Sequence, residues 1–114
     1  DKMNNLVLTG CLVKRPVLEE TENGRKTTTI VLAVSRNFKN DVGEYETDFI
    51  PVNLVGQVAE STVEYCKQGD VIGVKGRLAR LSGNDLQVVA EKISFLSSRP
   101  KDYDGENDSQ IIVD

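Results

Sequence analysis

Gln57-Val58-Ala59-Glu60-Ser61-Thr62-Val63-Glu64-Tyr65-Cys66-Lys67-Gln68-Gly69 reads as a helix set among strands. Val58, Ala59, Thr62, Val63 and Cys66 recur at helical spacing over residues 57–68, and Gly69 follows as a stop. Before it runs Thr47 to Gly56, a strand-like stretch that carries Pro51. Proline cannot donate to a ladder, so Pro51 belongs at an edge or a bulge. After it runs Asp70 to Leu81, a second strand-like stretch in which Gly73 and Gly76 suggest bends.

Working outward adds three more strands. Residues 5–15 are rich in aliphatic and β-branched side chains, interrupted by Gly10 and ended by Pro16. Residues 17–22 read as a short continuation, and Asn23-Gly24 is the strongest short hairpin signal. Residues 27–35, Thr-Thr-Thr-Ile-Val-Leu-Ala-Val-Ser, have high β-propensity. The polar stretch 36–46 reads as a loop that turns at Asn40-Asp41-Val42-Gly43. Ser82-Gly83-Asn84-Asp85 is a tight turn before a last strand over 86–96. Three strands, one helix and two strands, with glycine bends in the first and fourth strands, is the order of an all-β, five-stranded Greek-key barrel whose helix between strands three and four closes one end. A two-sheet sandwich is the rival, but it usually wants about seven strands.

A chain of 114 residues is one domain's worth, with 39% hydrophobic residues for a core and 28% charged residues for a solvated surface. No apolar run approaches the length of a membrane span, and no secretory signal pattern opens the sequence, so a cytoplasmic protein with no membrane partner is expected. Asp1-Lys2 ahead of Met3 reads as the remnant of an expression tag, with Met3 as the native start. Cys11 and Cys66 form no CxxC pair and read as small, partly buried thiols in a reducing compartment. With no CxxC pair and no histidine in the chain, a zinc site is not expected, the commonest general base is missing, and no cofactor is expected. Glu44, Glu46 and Asp48 alternate and invite a metal reading, but carboxylates on a strand or loop edge are more often simply solvated. No nucleophile–base pair supports an enzyme.

The net charge of −4 is distributed unevenly. Residues 100–114 carry Lys101 against Asp102, Asp104, Glu106, Asp108 and Asp114, while residues 3–99 carry 12 basic and 12 acidic side chains. A neutral body can still hold a basic face. The expected organisation is a barrel domain over 3–97 and a disordered acidic tail over 98–114, with an apolar tip at Ile111-Ile112-Val113.

Binding a single nucleic-acid strand requires cations for the phosphates and aromatic faces for the bases. Phe38 lies in a polar stretch between Arg36 and Lys39, with no obvious core to fill, and is the leading stacking candidate. Phe49 lies on the third strand, where periodicity alone leaves it either core or platform. Lys75 and Arg77 are two apart and share a face, and Arg80 needs a bend to join them. A solvated edge guarded by lysine is the other reading of that group.

The segments Met3-Asn4-Asn5-Leu6-Val7-Leu8-Thr9-Gly10, Thr21-Glu22-Asn23-Gly24, Leu32 to Lys39, Gly43 to Ile50, Tyr65 to Asp70 and Val74-Lys75-Gly76-Arg77-Leu78 follow one another in an order and spacing that resembles the bacterial single-stranded DNA-binding protein family, in register over about residues 3–97. The resemblance implies an OB-fold that assembles as a homotetramer and coats single-stranded DNA in replication, recombination and repair. It places family stacking positions at Phe38 and Phe49, and supports Arg36, Lys39, Lys75, Arg77 and Lys14 as DNA-binding cations. It also shows departures. A third stacking aromatic falls at Val55, a basic position falls at Pro51, and the long finger between the last two strands is reduced to a tight turn near Gly83-Asn84. Each loss removes a DNA contact, so weaker binding or a smaller footprint is expected. The acidic stretch and Ile111-Ile112-Val113 resemble a degenerate form of the family's partner-recruiting tail, without its proline-phenylalanine ending. The alternatives are a dimeric primosomal accessory protein on the same barrel, acting mainly through protein partners, and an interaction module without DNA binding.

Overall fold

The computed structural model describes residues 2–80 and 83–98. The strands are β1 (Leu6–Leu12), β2 (Glu19–Glu20), β3 (Lys26–Lys39), β4 (Tyr45–Val55), β5 (Val71–Ala79) and β6 (Gln87–Ser97), with one helix, α1 (Gln57–Tyr65), between β4 and β5. Hydrogen-bonded neighbours run β1-β5-β6-β4-β3, and β1 also pairs with β3, which closes a five-stranded barrel. Two-residue β2 is an appendage on β3, pairing Glu19 with Thr27 and Glu20 with Lys26. The expected Greek-key barrel with a helix after its third long strand is what forms, and the hairpin at Asn23-Gly24 closes by a Gly24 N–H to Thr21 carbonyl bond of 2.9 Å.

Barrel closure depends on β1 changing partners. It pairs with β5 from Leu6 to Cys11 and with β3 at Cys11 and Leu12. At the crossing, a Cβ on Gly10 would lie 2.5 Å from the Ala33 carbonyl oxygen, so only a glycine lets the strands approach that closely. Gly76 meets the backbone of Val89 in the same way, next to the register shift between Lys75 and Gly76. β4 meets β6 in parallel at only two positions, Val52–Val88 and Asn53–Val89. The Asn53 side-chain amide reinforces that short seam by donating to Gln87 Oε1 at 2.8 Å. Pro51 lies next to this seam, on a strand whose β6 side has little ladder for its missing N–H to break.

Alternation supplies the core. Ile30 and Leu32 from β3, Val52 and Leu54 from β4, and Ile72 and Val74 from β5 point inward with Leu12 and Ala90. Helix α1 caps one end of the barrel with Ala59 and Thr62. It stops at Tyr65, earlier than its apolar spacing suggests, because Cys66 turns to extended backbone and the chain returns to β1. There the Gly69 N–H donates to the Leu12 carbonyl, and the Leu12 N–H to the Asp70 carbonyl, both at 2.9 Å.

The main difference from the sequence reading lies in β3. Arg36, Asn37, Phe38 and Lys39 belong to the strand and not to a loop. The ladder with β4 pairs Ser35 with Thr47 and resumes at Lys39 with Tyr45, so β3 carries two more residues than β4 across that interval. This bulge hides polar residues inside a strand, which a propensity reading takes for loop. The turn beyond it, Asn40 to Gly43, is as read: the Gly43 N–H donates to the Asn40 carbonyl at 3.0 Å.

Candidate nucleic-acid interface

The β3–β4 hairpin extends past the barrel as a two-stranded arm, and its two faces carry different chemistry. Inward-facing Val34 is paired with Asp48, and Ala33 is paired with Phe49, so Asp48 and Phe49 take opposite faces. Phe49 is 64% exposed, so it lies on the surface and not in the core. Along its face follow Thr29–Asn53 and Val31–Pro51 as register pairs, then Val55 opposite Thr27. Val55, at the position where the resemblance expects an aromatic, is exposed. At the tip of the arm, Lys39 lies over the Tyr45 ring with Nζ 5.7 Å from its centroid. Tyr45 is exposed and follows the same alternation as Phe49. It is a second aromatic on this face that the sequence reading did not single out.

The other face of the arm carries Phe38, which is 70% exposed. Phe38 lines an open groove with Arg36, Asn37, Asp48, Ile50 and Val7. Within that groove Arg36 is not a free cation. Its Nε donates to Asp48 Oδ2 at 3.0 Å, Nη2 to Asp48 Oδ1 at 2.9 Å and Nη1 to Glu46 Oε1 at 3.1 Å. Asn40 Nδ2 holds the other Glu46 oxygen at 3.2 Å. Hydrogen bonding to Asp48, then the charges of Asp48 and Glu46, push the guanidinium pKa above its ordinary value, and the same hydrogen bonds hold the Asp48 carboxyl below the usual carboxylate range. Glu46 and Asp48, two of the three alternating carboxylates, are thus partners of an arginine.

The other candidate cations, with their neighbours, fall into two groups. Lys75 on β5 is exposed and pairs with Val7 on β1 and with Lys92 on β6. Val7 lines the Phe38 groove, so Lys75 stands at its margin. Lys92 was not singled out from the sequence, because its strand register with Lys75 is a tertiary fact. Arg77 is half-buried and leans toward Glu91, with Nε 3.5 Å from Oε2. Arg80 lies exposed just past the end of β5. Lys14 sits apart from these, after β1, in a cleft with Arg15, Val17, Glu19 and Thr29. Thr29 is also in the neighbouring cleft with Pro51, Asn53, Leu86 and Gln87, so Lys14 and Arg15 stand at the far end of the Phe49 face. Ile111, Ile112 and Val113 lie outside the described residues.

Residues 3–96 match the model of the single-strand binding protein family. Single-stranded DNA-binding protein B of Bacillus subtilis is 34% identical over 107 residues, covering 87% of this chain and 95% of that one. The single-stranded DNA-binding protein of Clostridium tetani is 42% identical over 112 residues, covering 90% of this chain and 77% of that one. Among solved structures, the wild-type single-stranded DNA binding protein from Thermus aquaticus superposes with a TM-score of 0.72 at 30% identity, over 85% of this chain and 52% of that one. The chain therefore spans about half the length of that structure.

Proposed function

The chain belongs to the single-strand binding protein family, and from that premise we propose that it binds single-stranded DNA without sequence preference. The observation that carries the reading is the arm itself. Phe38 and Phe49 are both large, exposed aromatics, and they stand on opposite faces of one hairpin. A flexible single strand can pass around such an arm and stack bases on both faces, whereas a duplex cannot bend so tightly. Lys39 at the tip, Lys75 at the groove margin, Arg77 and Arg80 beyond it, and Lys14 at the far end of the Phe49 face serve the phosphates. Lys92, Arg15 and Tyr45 extend that set.

The exposed Val55 and Pro51 stand where the resemblance leads one to expect an aromatic and a basic residue, which supports a smaller footprint or weaker binding. Assembly as a homotetramer, a role in replication, recombination and repair, and recruitment of partner proteins through Ile111-Ile112-Val113 are parts of the same proposal. Mass in solution separates a tetramer from a dimer. Pull-down of replication enzymes by the tail peptide tests recruitment.

The direct experiment titrates labelled oligo-dT and a matched duplex at several salt concentrations. Single-strand preference, with log K falling by about 0.7 per phosphate neutralised for each unit of log salt, supports the reading. Equal affinity for the duplex, or no salt-sensitive affinity for either, overturns it in favour of a protein-interaction role.

A further inference from the structure

Arg36 looks like a phosphate ligand in the sequence and is poorly built to be one in the structure. A guanidinium has five in-plane N–H groups and no acceptor. Three of them are already spent on Asp48 and Glu46. One positive charge faces two negative ones, so the cluster as a whole carries about one negative charge by formal counting. A phosphate arriving at the edge of the guanidinium meets both carboxylates. Little counterion release is available from a cation whose charge is internally matched.

The faces of the plane remain. The Arg36 side chain is 45% exposed although its edge is occupied. A delocalised, weakly hydrated guanidinium stacks well on flat π systems, including splayed nucleobases. The ordering of a long, rotamer-rich side chain is already achieved before any ligand arrives. The turn fixes Asn40, whose Oδ1 accepts the Val42 and Glu44 N–H groups at 3.0 and 2.9 Å. Asn40 holds Glu46, and Glu46 and Asp48 together hold Arg36. Phe38 lines the same groove.

We propose that Arg36 is a stacking plane for a nucleobase, pinned edge-on by Asp48 and Glu46, and not a phosphate ligand. This rests on the single-strand reading above, and the experiment keeps the two apart. The full chain and its variants are titrated with oligo-dT and with an oligomer of the same length built from abasic sugars, each over a range of salt. Wild type failing to prefer single-stranded dT overturns the function itself. Given wild-type binding, Arg36→Ala combined with Asp48→Asn, which holds the cluster at about one negative charge, is expected to weaken dT binding roughly 5- to 100-fold, leave the slope of log K against log salt unchanged, and leave abasic binding unchanged. Arg36→Lys, which keeps a charge and a partner for Asp48 and so protects the fold, is expected not to restore dT affinity. The same loss is expected on a Phe38→Ala background. The proposal is overturned if this charge-matched double variant makes the slope shallower by about 0.7 with equal loss on both oligomers, or if lysine at position 36 restores binding. It is also overturned if the loss vanishes on the Phe38→Ala background, because Arg36 would then only position Phe38.

Discussion

Lys75 on β5 and Lys92 on β6 are register partners, so two exposed ammonium groups stand directly opposite one another on the barrel wall. Like charges at opposed strand positions destabilise a sheet by roughly 0.2–1 kcal/mol. A pair that weakens the fold and strengthens the hold on an anion is separable by mutation. Lys92→Gln is expected to raise the denaturation midpoint slightly while lowering oligo-dT affinity and making the salt slope shallower by about 0.7. Lys75→Gln should behave alike. Denaturant melts and salt titrations of the same preparations check both signs, and a loss of stability in either variant would contradict the pairing argument.

Phe38 and Phe49 are exposed on opposite faces of the arm, so each should act on binding without supporting the core. Phe38→Ala and Phe49→Ala are each expected to weaken oligo-dT binding by about 1–3 kcal/mol, with melting nearly unchanged. Because the two rings share no face, their losses should add within about 0.5 kcal/mol in the double variant. Fluorescence titration of the four proteins measures this directly.

What was legible in the sequence, and what was not, divides along physical lines. The barrel could be read because its signals are local: β-branched runs, Asn23-Gly24, the helical spacing from Val58 to Cys66, and glycines at Gly10 and Gly76 where backbones touch. The bulge could not be read, because Arg36-Asn37-Phe38-Lys39 has loop composition and becomes strand only by pairing with β4. For the same reason Arg36 was visible as a cation but not as one clamped by Asp48, twelve residues along the chain and across the hairpin. Phe49 needed only its face to be settled, and the burial of Ile50, Val52 and Leu54 on the alternate positions settles it. Lys92 opposite Lys75 depends on a register shift that no spacing in one strand encodes.

Asp70 is buried at the return from α1 to β5, and its side chain caps the turn that brings the chain back to β1. Its Oδ2 accepts the Lys67 backbone N–H at 2.9 Å, and Oδ1 meets Lys67 Nζ at 3.3 Å. Asp70→Ala leaves a backbone donor without that partner and is expected to cost about 1–3 kcal/mol of stability. Asp70→Asn keeps an oxygen acceptor and should cost less. Chemical denaturation orders the three proteins.

Cys66 packs in the core beneath α1, and burial, followed by the nearby Asp70 charge, pushes its thiol pKa up. The folded state therefore holds the thiol proton more tightly than the unfolded state. The resulting stabilisation is complete below the ordinary thiol value and is lost as pH rises through the raised one. At mildly alkaline pH, alkylation of Cys66 is expected to be slow in the native protein and fast in denaturant. Mass spectrometry of the labelled peptide checks it, and rapid native labelling of Cys66 would contradict its burial.

Asp48 carries the opposite sign. Its carboxyl is held below the usual carboxylate range by hydrogen bonds from Arg36, so the ion pair contributes fully above that range and is lost as pH falls through the lowered value. Protonation releases two of the guanidinium N–H groups and removes one of the two carboxylates that shield Arg36 from phosphate. The salt slope of oligo-dT binding is therefore expected to steepen, by at most about 0.7, as the solution is taken from neutral pH to well below ordinary carboxylate values. Asp48→Asn should bring that steeper slope to neutral pH and remove this part of the acid dependence. If Asp48→Asn leaves the neutral slope unchanged, Glu46 alone suffices to occupy Arg36, and Glu46→Gln combined with Asp48→Asn should then be the variant that releases it.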